Sequence, residues 1–266
     1  MHRTAIVTGG SSGIGRAAAV KLRDEGYRVY EFSRTGRSEY GIRHCTVDVT
    51  DEALVRETVR RIFRRELKID LLINCAGFGI SGACEFTEHE DAVRQIDVNL
   101  FGIANVSKAV LPYMKKRGWG RIINISSVAA VMPIPFQVWY SVSKSGINAY
   151  TCGLANEVRQ FGITVCAVMF GDVHTGFTDA RKKSERGDFE YGGRISRSVG
   201  RMEADENGGY TAQEAASYLM RIVNRKRPAP LNTMGVGYKA AVLADRLISG
   251  RLKNYILYRL YGGQPA

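Results

Sequence analysis

Runs rich in β-branched residues, Thr4–Thr8, Arg28–Ser33 and Ile42–Val47, alternate with helix-length stretches from Ile14 to Glu25 and from Asp51 to Glu66. The alternation continues through Ile69–Asn74, a helical stretch from about Glu88 to Arg117, the strand Arg121–Ser126, a helix from Tyr140 to Gln160 and the strand Ile163–Met169. Six strands separated by crossovers predict a parallel sheet in an α/β fold, and right-handed crossovers cover both of its faces with helices. Asp51 reads as a helix cap with Glu52 in the first turn, while Gly118, Gly120 and Gly162 follow helical runs where a left-handed residue is wanted. Between Gly176 and Asn207 the period is lost, and seven basic and seven acidic residues mix with several glycines. That segment predicts a long substrate loop with at most short helices. No repeat or Pro-rich linker divides the chain, so residues 1–266 read as one domain.

Composition adds little to this picture, since 45% hydrophobic and 24% charged residues describe an ordinary soluble globule and exclude intrinsic disorder. Charge adds more. The net charge is +12, and from Ala215 onward nine Lys or Arg face a single acid, Asp245, so the excess is concentrated at the C-terminus. A basic amphipathic stretch from about 238 to 261 mixes Leu, Ile and Tyr with Arg and Lys. It fits either an anionic membrane surface or a cover over a substrate mouth or partner subunit, with Gly250 weakening a single continuous helix. The five cysteines are odd in number and form no CxxC pair, which predicts reduced thiols and neither a disulfide framework nor a metal site. A strand starting near Arg3 leaves no room for a signal peptide, and no run approaches the ~18 apolar residues of a membrane span. A cytoplasmic location is the expectation.

Candidate chemistry begins at the end of the first strand, in Thr8-Gly-Gly-Ser-Ser-Gly-Ile-Gly15. Glycines at 9, 13 and 15 let the backbone approach a pyrophosphate, whose charge the open N–H groups and helix dipole hold. Tyr140 and Lys144 lie four apart on a predicted helix and share a face. A phenol titrates near 10, and a neighbouring ammonium is expected to lower it toward the working pH of an acid/base group.

Further motifs follow in order: Asp48-Val49, Asn74-Cys75-Ala76-Gly77, Asn99, Ser127, Tyr140-Ser-Val-Ser-Lys144 and Phe170-Gly-Asp-Val-His-Thr175. Over about the first 180 residues the sequence thereby resembles the short-chain dehydrogenase/reductase family. The resemblance implies a doubly wound Rossmann fold with a seventh strand around Leu231 to Met234, commonly assembled as a homodimer or homotetramer. It implies catalytic roles for Asn99, Ser127, Tyr140 and Lys144: Asn99 holding a relay water, Ser127 bonding the substrate oxygen, Tyr140 exchanging the proton, and Lys144 tuning the tyrosine and gripping the ribose. It implies cofactor contacts from Gly9, Ser11, Ser12, Gly13, Ile14, Gly15, Asp48, Val49, Asn74, Ala76, Gly77, Gly171, Val173 and Thr175, besides Tyr140 and Lys144. Two residues depart from the family pattern: Cys75 replaces a second Asn, and Phe170 replaces the usual Pro, bringing an aromatic ring beside the nicotinamide position.

A carboxylate at the end of the second strand selects NAD, and arginine there accommodates the 2′-phosphate of NADP. Here the strand ends Phe32-Ser33-Arg34 with Glu31 further back, which favours NADP over NAD, with Arg34 and Arg37 as phosphate contacts. Met132–Phe136, Trp139, Phe78, Ile80 and Phe177 surround the motifs with apolar side chains. They suit a sterol, retinoid, fatty or aromatic substrate, or else serve core and subunit packing. Together these features predict an NADP-dependent oxidoreductase moving a hydride between nicotinamide and a secondary alcohol or ketone. The alternative is a non-catalytic NAD(P)-binding redox-sensing module. Nucleic-acid binding has charge in its favour but no recognition motif.

Overall fold

The computed structural model describes residues 2–262. Seven parallel strands form one sheet: β1 (Arg3–Thr8), β2 (Tyr27–Ser33), β3 (Ile42–Thr46), β4 (Leu71–Asn74), β5 (Gly120–Ser127), β6 (Ile163–Phe170) and β7 (Leu231–Thr233). Their order is β3-β2-β1-β4-β5-β6-β7, so strand order reverses between β1 and β4. That reversal opens a crevice at the carboxyl ends of the strands, the place where open α/β sheets bind ligands. The helices are α1 (Gly13–Asp24), α2 (Glu52–Glu66), α3 (His89–Ile96), α4 (Gly102–Arg117), α5 (Val138–Val158), α6 (Arg194–Asn207), α7 (Ala212–Asn224), α8 (Val236–Asp245) and α9 (Gly250–Leu257).

The period of two along each strand divides the apolar side chains between two cores. On one face Val7, Ile73, Ile123 and Val168 pack against Ala18, Ala19 and Leu22 of α1 and Ala215, Ala216 and Leu219 of α7. On the other, Ile6, Leu72, Ile122 and Val165 meet Val55, Val59 and Ile62 of α2, Val106, Val110 and Met114 of α4, and Leu154 and Val158 of α5. Adjacent residues of each strand thus serve opposite cores, which is why these strands are apolar without a polar face.

Asp51 caps α2 by accepting the Leu54 N–H at 2.9 Å, and Glu52 meets Lys108 of α4 at 2.7 Å. At the far end of α2 the Glu66 carboxylate is shut off from solvent. It accepts from the Tyr30 hydroxyl at 2.6 Å, Arg28 at 2.7 Å and Arg43 at 2.9 Å, and pairs with His2 at 3.0 Å. Burial by itself would raise its pKa, but these hydrogen bonds and the Arg28 charge outweigh it and hold Glu66 down to about 2.

Two sequence expectations change and a third is refined. The stretch from Glu88 to Arg117 is helical, as expected, but α3 runs into α4 through a π-helical turn, Asp97–Phe101, that turns Asn99 into the interior. Such turns concentrate at functional sites. Gly118 and Gly162 take the left-handed conformation at helix ends, but Gly120 does not. It opens β5, where any side chain would strike Met114. Within the predicted loop at 176–207, residues Arg194–Asn207 form α6, anchored by buried Ile195, Ser198 and Met202. Among the described residues all five cysteines are free, no cluster of three or more His, Cys, Asp or Glu could hold a metal ion, and no helix is long and apolar enough to cross a membrane.

Candidate active site

The turn from β1 to α1 passes close under the turn after β4. The Thr8 hydroxyl accepts the N–H groups of Cys75 and Ala76, each at 3.0 Å. Gly9 has φ +65°, and a Cβ there would lie 2.9 Å from the Ala76 backbone. A larger residue would therefore both strain this turn and push the two turns apart. Ser12 stands at the N-cap of α1 without capping it, and the first turn holds no acid. Apart from the Gly15 N–H, which reaches the Cys75 sulfur, the N–H groups at the start of the helix and its positive end face outward to an external anion, so the cradle fits a pyrophosphate. A continuous cavity of about 540 Å³ runs from this turn to Ser127, Tyr140 and Lys144.

At the reacting end, Ser127 closes β5. Its hydroxyl accepts the Ala129 N–H at 3.1 Å and hydrogen-bonds Tyr140. The neighbouring Ser126 also borders the cavity but is buried and donates to the Lys144 carbonyl at 3.4 Å, which leaves Ser127 as the serine whose hydroxyl meets Tyr140. Tyr140 and Lys144 occupy one face of α5, as their spacing dictates. The Tyr140 ring leans on Phe177, centroids 5.8 Å apart.

The direction of the tyrosine shift is the reverse of the expectation. Burial raises the Tyr140 pKa to about 12; Ser127 and Arg181 pull it down, whereas the Glu206 and Asp172 charges push it up. Lys144 stands over the ring, 5.6 Å from its centroid, and donates to the Ile125 carbonyl at 2.9 Å instead of to the phenol. Burial lowers Lys144 to about 8. Desolvation governs both groups, so the pair at rest is a protonated phenol beside an ammonium that can lose its proton near neutrality.

Residues 3–186 match the short chain dehydrogenase family. The chain belongs to that family. It is 42% identical over 258 residues, 96% of this chain and 95% of the other, to the 3-ketodihydrosphingosine reductase of Bacteroides thetaiotaomicron. It is 32% identical over 177 residues, 64% of this chain and 60% of the other, to the NADPH-dependent 1-acyldihydroxyacetone phosphate reductase of Schizosaccharomyces pombe. Its fold overlays a short-chain dehydrogenase of Streptomyces avermitilis with a TM-score of 0.83 at 25% identity, over 99% of this chain and 98% of that one. Membership makes the protein an NAD(P)-dependent oxidoreductase of ketone and alcohol groups.

Not every residue read from the sequence of this short-chain dehydrogenase reaches the cavity. Gly9, Ser12, Gly13, Ile14, Gly15, Ala76, Gly77, Ser127, Tyr140, Lys144, Gly171, Val173 and Thr175 line it. Ser11, Arg34, Asp48, Val49, Asn74 and Asn99 do not. Asn74 is buried and donates to Ser107 at 3.2 Å and Asn124 at 2.9 Å, which ties β4 to its neighbours. Val49 is also buried, its carbonyl accepting from Asn105 at 3.0 Å. Ser11 and Arg34 are exposed beyond the cavity. Burial raises the Asp48 pKa, but hydrogen bonds from Thr50 and the charges of Arg34 and Arg94 outweigh it and hold the group below its ordinary value. Arg37 is turned away and pairs with Glu39. Asn99 commits its amide to the chain: it accepts from Phe78 N at 3.0 Å and donates to Phe78 O at 3.0 Å and to Ser143 at 3.1 Å. It fixes the turn after Gly77.

Phe170 packs in the core against Tyr218, centroids 6.5 Å apart, while an edge still borders the cavity. Gly171 is required by a neighbour the sequence did not reveal. A side chain there would collide with the ring of Tyr238, brought in by α8. The cavity wall also holds Asp172, Glu206, Leu257, Leu260 and Tyr261. Asp172 lies inside the Phe170–Thr175 motif, Glu206 falls in the expected substrate loop, and Leu257, Leu260 and Tyr261 belong to the C-terminal stretch that the sequence offered as a cover over a substrate mouth. The C-terminal residues arrive there because the chain turns between α8 and α9 and folds over the mouth.

Proposed function

We propose that the protein is an NADPH-dependent reductase of long-chain ketones, with 3-ketodihydrosphingosine as the candidate substrate. The observation that carries this reading is one continuous cavity: it joins an uncapped helix N-terminus to a Ser–Tyr–Lys group and ends in an apolar mouth. Met132, Ile134, Phe177, Leu257 and Leu260 line that mouth. The near full-length similarity to a 3-ketodihydrosphingosine reductase supports the substrate class.

A reduced nicotinamide bound along the crevice supplies the hydride to the ketone carbon. Ser127 donates a hydrogen bond to the ketone oxygen and orients it, and Tyr140, protonated through the neutral range, gives that oxygen its proton. Lys144 places an ammonium behind the tyrosine, which stabilises the phenolate that forms. Asn99 keeps the Gly77–Phe78 turn in position. A resting acid with its proton in place suits reduction. Consumption of NADPH with 3-ketodihydrosphingosine in mixed micelles tests the reading; no rate above the enzyme-free control, with other long-chain ketones turned over, would remove this substrate.

Preference for NADPH rests on the end of β2. Glu31, the only carboxylate on that strand, is buried and paired with His44, with Ser33 donating to it at 3.2 Å. It is therefore not offered to a ribose hydroxyl, while Arg34 stands exposed next to it, near Asp48. Arg34→Asp is expected to lower the NADPH-to-NADH affinity ratio at least ~10-fold, the cost of replacing one charge-assisted contact by repulsion. Titration of each nucleotide against tryptophan fluorescence reads the ratio, and an unchanged value removes Arg34 from the site.

The outer side of α8 supports a membrane-surface location for such an enzyme. Val236 and Leu243, spaced to share a face of α8, and Leu247 just beyond its end are 83%, 59% and 80% exposed, with Lys239 and Arg246 exposed among them. A basic surface with projecting aliphatic residues binds anionic lipid. Co-sedimentation with phosphatidylglycerol vesicles and not with phosphatidylcholine vesicles is expected; equal pelleting with both, or with neither, contradicts it.

A further inference from the structure

We propose that Asp172 selects for substrates carrying a cation next to the ketone, binding the ammonium of an α-amino ketone while Ser127 and Tyr140 hold its oxygen. The inference rests on the long-chain ketone reading above and adds the charge of the substrate's head to it.

Two carboxylates, Asp172 after β6 and Glu206 at the end of α6, border the cavity that holds Tyr140. Their charges are both felt at the phenol, so the two carboxylates lie near the proton donor in the cavity that the reacting carbonyl must enter. Glu206 is already satisfied, by the fully buried Arg181 guanidinium and by the Thr178 hydroxyl at 2.6 Å. Asp172 is not. Among the described residues no cation lies within ion-pairing distance of it.

Among the described residues its only side-chain partner is Tyr238, whose hydroxyl accepts the Asp172 N–H at 3.1 Å and donates to the carboxylate. The ring of Tyr238 rests on Gly171, where no side chain fits, so the carboxylate is held at a set position by α8. Burial, helped by the Asp205 charge, opposes its ionisation and raises its pKa, outweighing the Tyr238 hydrogen bond and the charge of Arg181, which is itself paired with Glu206. An oriented carboxylate that is half removed from water and lacks a counter-ion is a site for a cation.

The geometry of an α-amino ketone answers this arrangement. Its amine sits on the carbon bonded to the carbonyl, so the groups that read nitrogen and oxygen must border one small volume, as Asp172 and Tyr140 do. A neutral ketone gains nothing from Asp172, and a phosphate-bearing one meets two carboxylates of its own sign. Tyr238 is on this account a positioning residue: it acts through Asp172.

The test compares 3-ketodihydrosphingosine with its desamino counterpart, using the full-length protein and NADPH. The wild type is expected to favour the amine by about 30-fold or more in kcat/KM, from a charge-assisted contact in a partly desolvated site. In Asp172→Asn that ratio is expected to fall to within a few-fold of unity through a rise in KM for the amine, with Asp172→Glu retaining part of it. Unfolding curves establish that the variants are folded, and Tyr238→Phe, which frees the carboxylate without removing it, is expected to lose part of the ratio. A wild-type ratio near one, or a ratio that Asp172→Asn leaves unchanged, overturns the ammonium site while the long-chain ketone reading stands. Should neither ketone be reduced, that reading falls, and calorimetric binding of dodecylamine against dodecanol decides the site. An amine advantage abolished by Asp172→Asn supports it; no amine advantage overturns it.

Discussion

Tyr140→Phe is expected to lower kcat for ketone reduction by about 10²- to 10⁴-fold, the range contributed by a positioned proton donor, while NADPH affinity changes by less than ~2-fold. The substitution removes one hydroxyl and keeps the ring against Phe177, so the cavity wall survives and the proton does not. Stopped-flow turnover and a nucleotide titration separate the two effects. Activity within tenfold of wild type would show that the proton comes from elsewhere. The pH profile carries a second part of the same prediction. Tyr140, at about 12, keeps its proton across the working range, whereas buried Lys144 loses its charge on passing about 8. The reductive rate is therefore expected to fall as pH rises through about 8, and that limb should move when Lys144 is replaced by Arg, which stays charged. A limb that ignores the replacement would assign it to another group.

The second large effect is on stability. Glu66→Gln is expected to cost about 3 kcal/mol, the low end of the range for breaking a buried ion pair, because Arg28 and Arg43 still reach solvent. The variant should melt roughly 6–12 °C lower. The glutamine keeps the shape of the side chain but gives Tyr30, Arg28, Arg43 and His2 a neutral acceptor with half the oxygens. The sign of the pH effect follows from the depressed pKa: a carboxyl that titrates near 4.3 unfolded and near 2 folded contributes fully above about pH 4.3 and loses its contribution as pH falls toward 2. Urea midpoints should decline over that window in the wild type and more shallowly in Glu66→Gln. A melting shift under ~2 °C would mean that the partners find water at no cost.

Much of the fold was legible because a parallel sheet covered on both faces imposes long β-branched runs at helix-length intervals. The π turn at Asp97–Phe101 within the expected helical stretch was not, since a π turn inserts one residue into a helix without any change of composition. Nor was α6, whose charges surround only three buried side chains, so its apolar stripe is too narrow to stand out from a polar loop. At the site, Tyr140 and Lys144 could be read because helix geometry puts them on one face, and the glycine turn from its place between a strand and a helix, whereas Ser127 was legible only through the family resemblance. The pKa directions could not. They depend on how deeply the pair is buried, which is set by Phe177, Glu206 and Arg181 from remote parts of the chain. Asp172 could be located in a motif but not given a role, because what makes it distinctive is the arrival of Tyr238 from α8 and the absence of a counter-ion.

The family match ends at residue 186, whereas the roof of the cavity comes from α6, α8, α9 and the residues just after them. Proton donor, nucleotide cradle and one side of the substrate mouth are thus encoded in one stretch, and the roof over it in another. Drift in the last third of the chain can retune which molecules are admitted while the reaction itself goes untouched. The exceptions are Gly171 and Asp172, where Tyr238 grips the catalytic segment. At that joint the two stretches must change together.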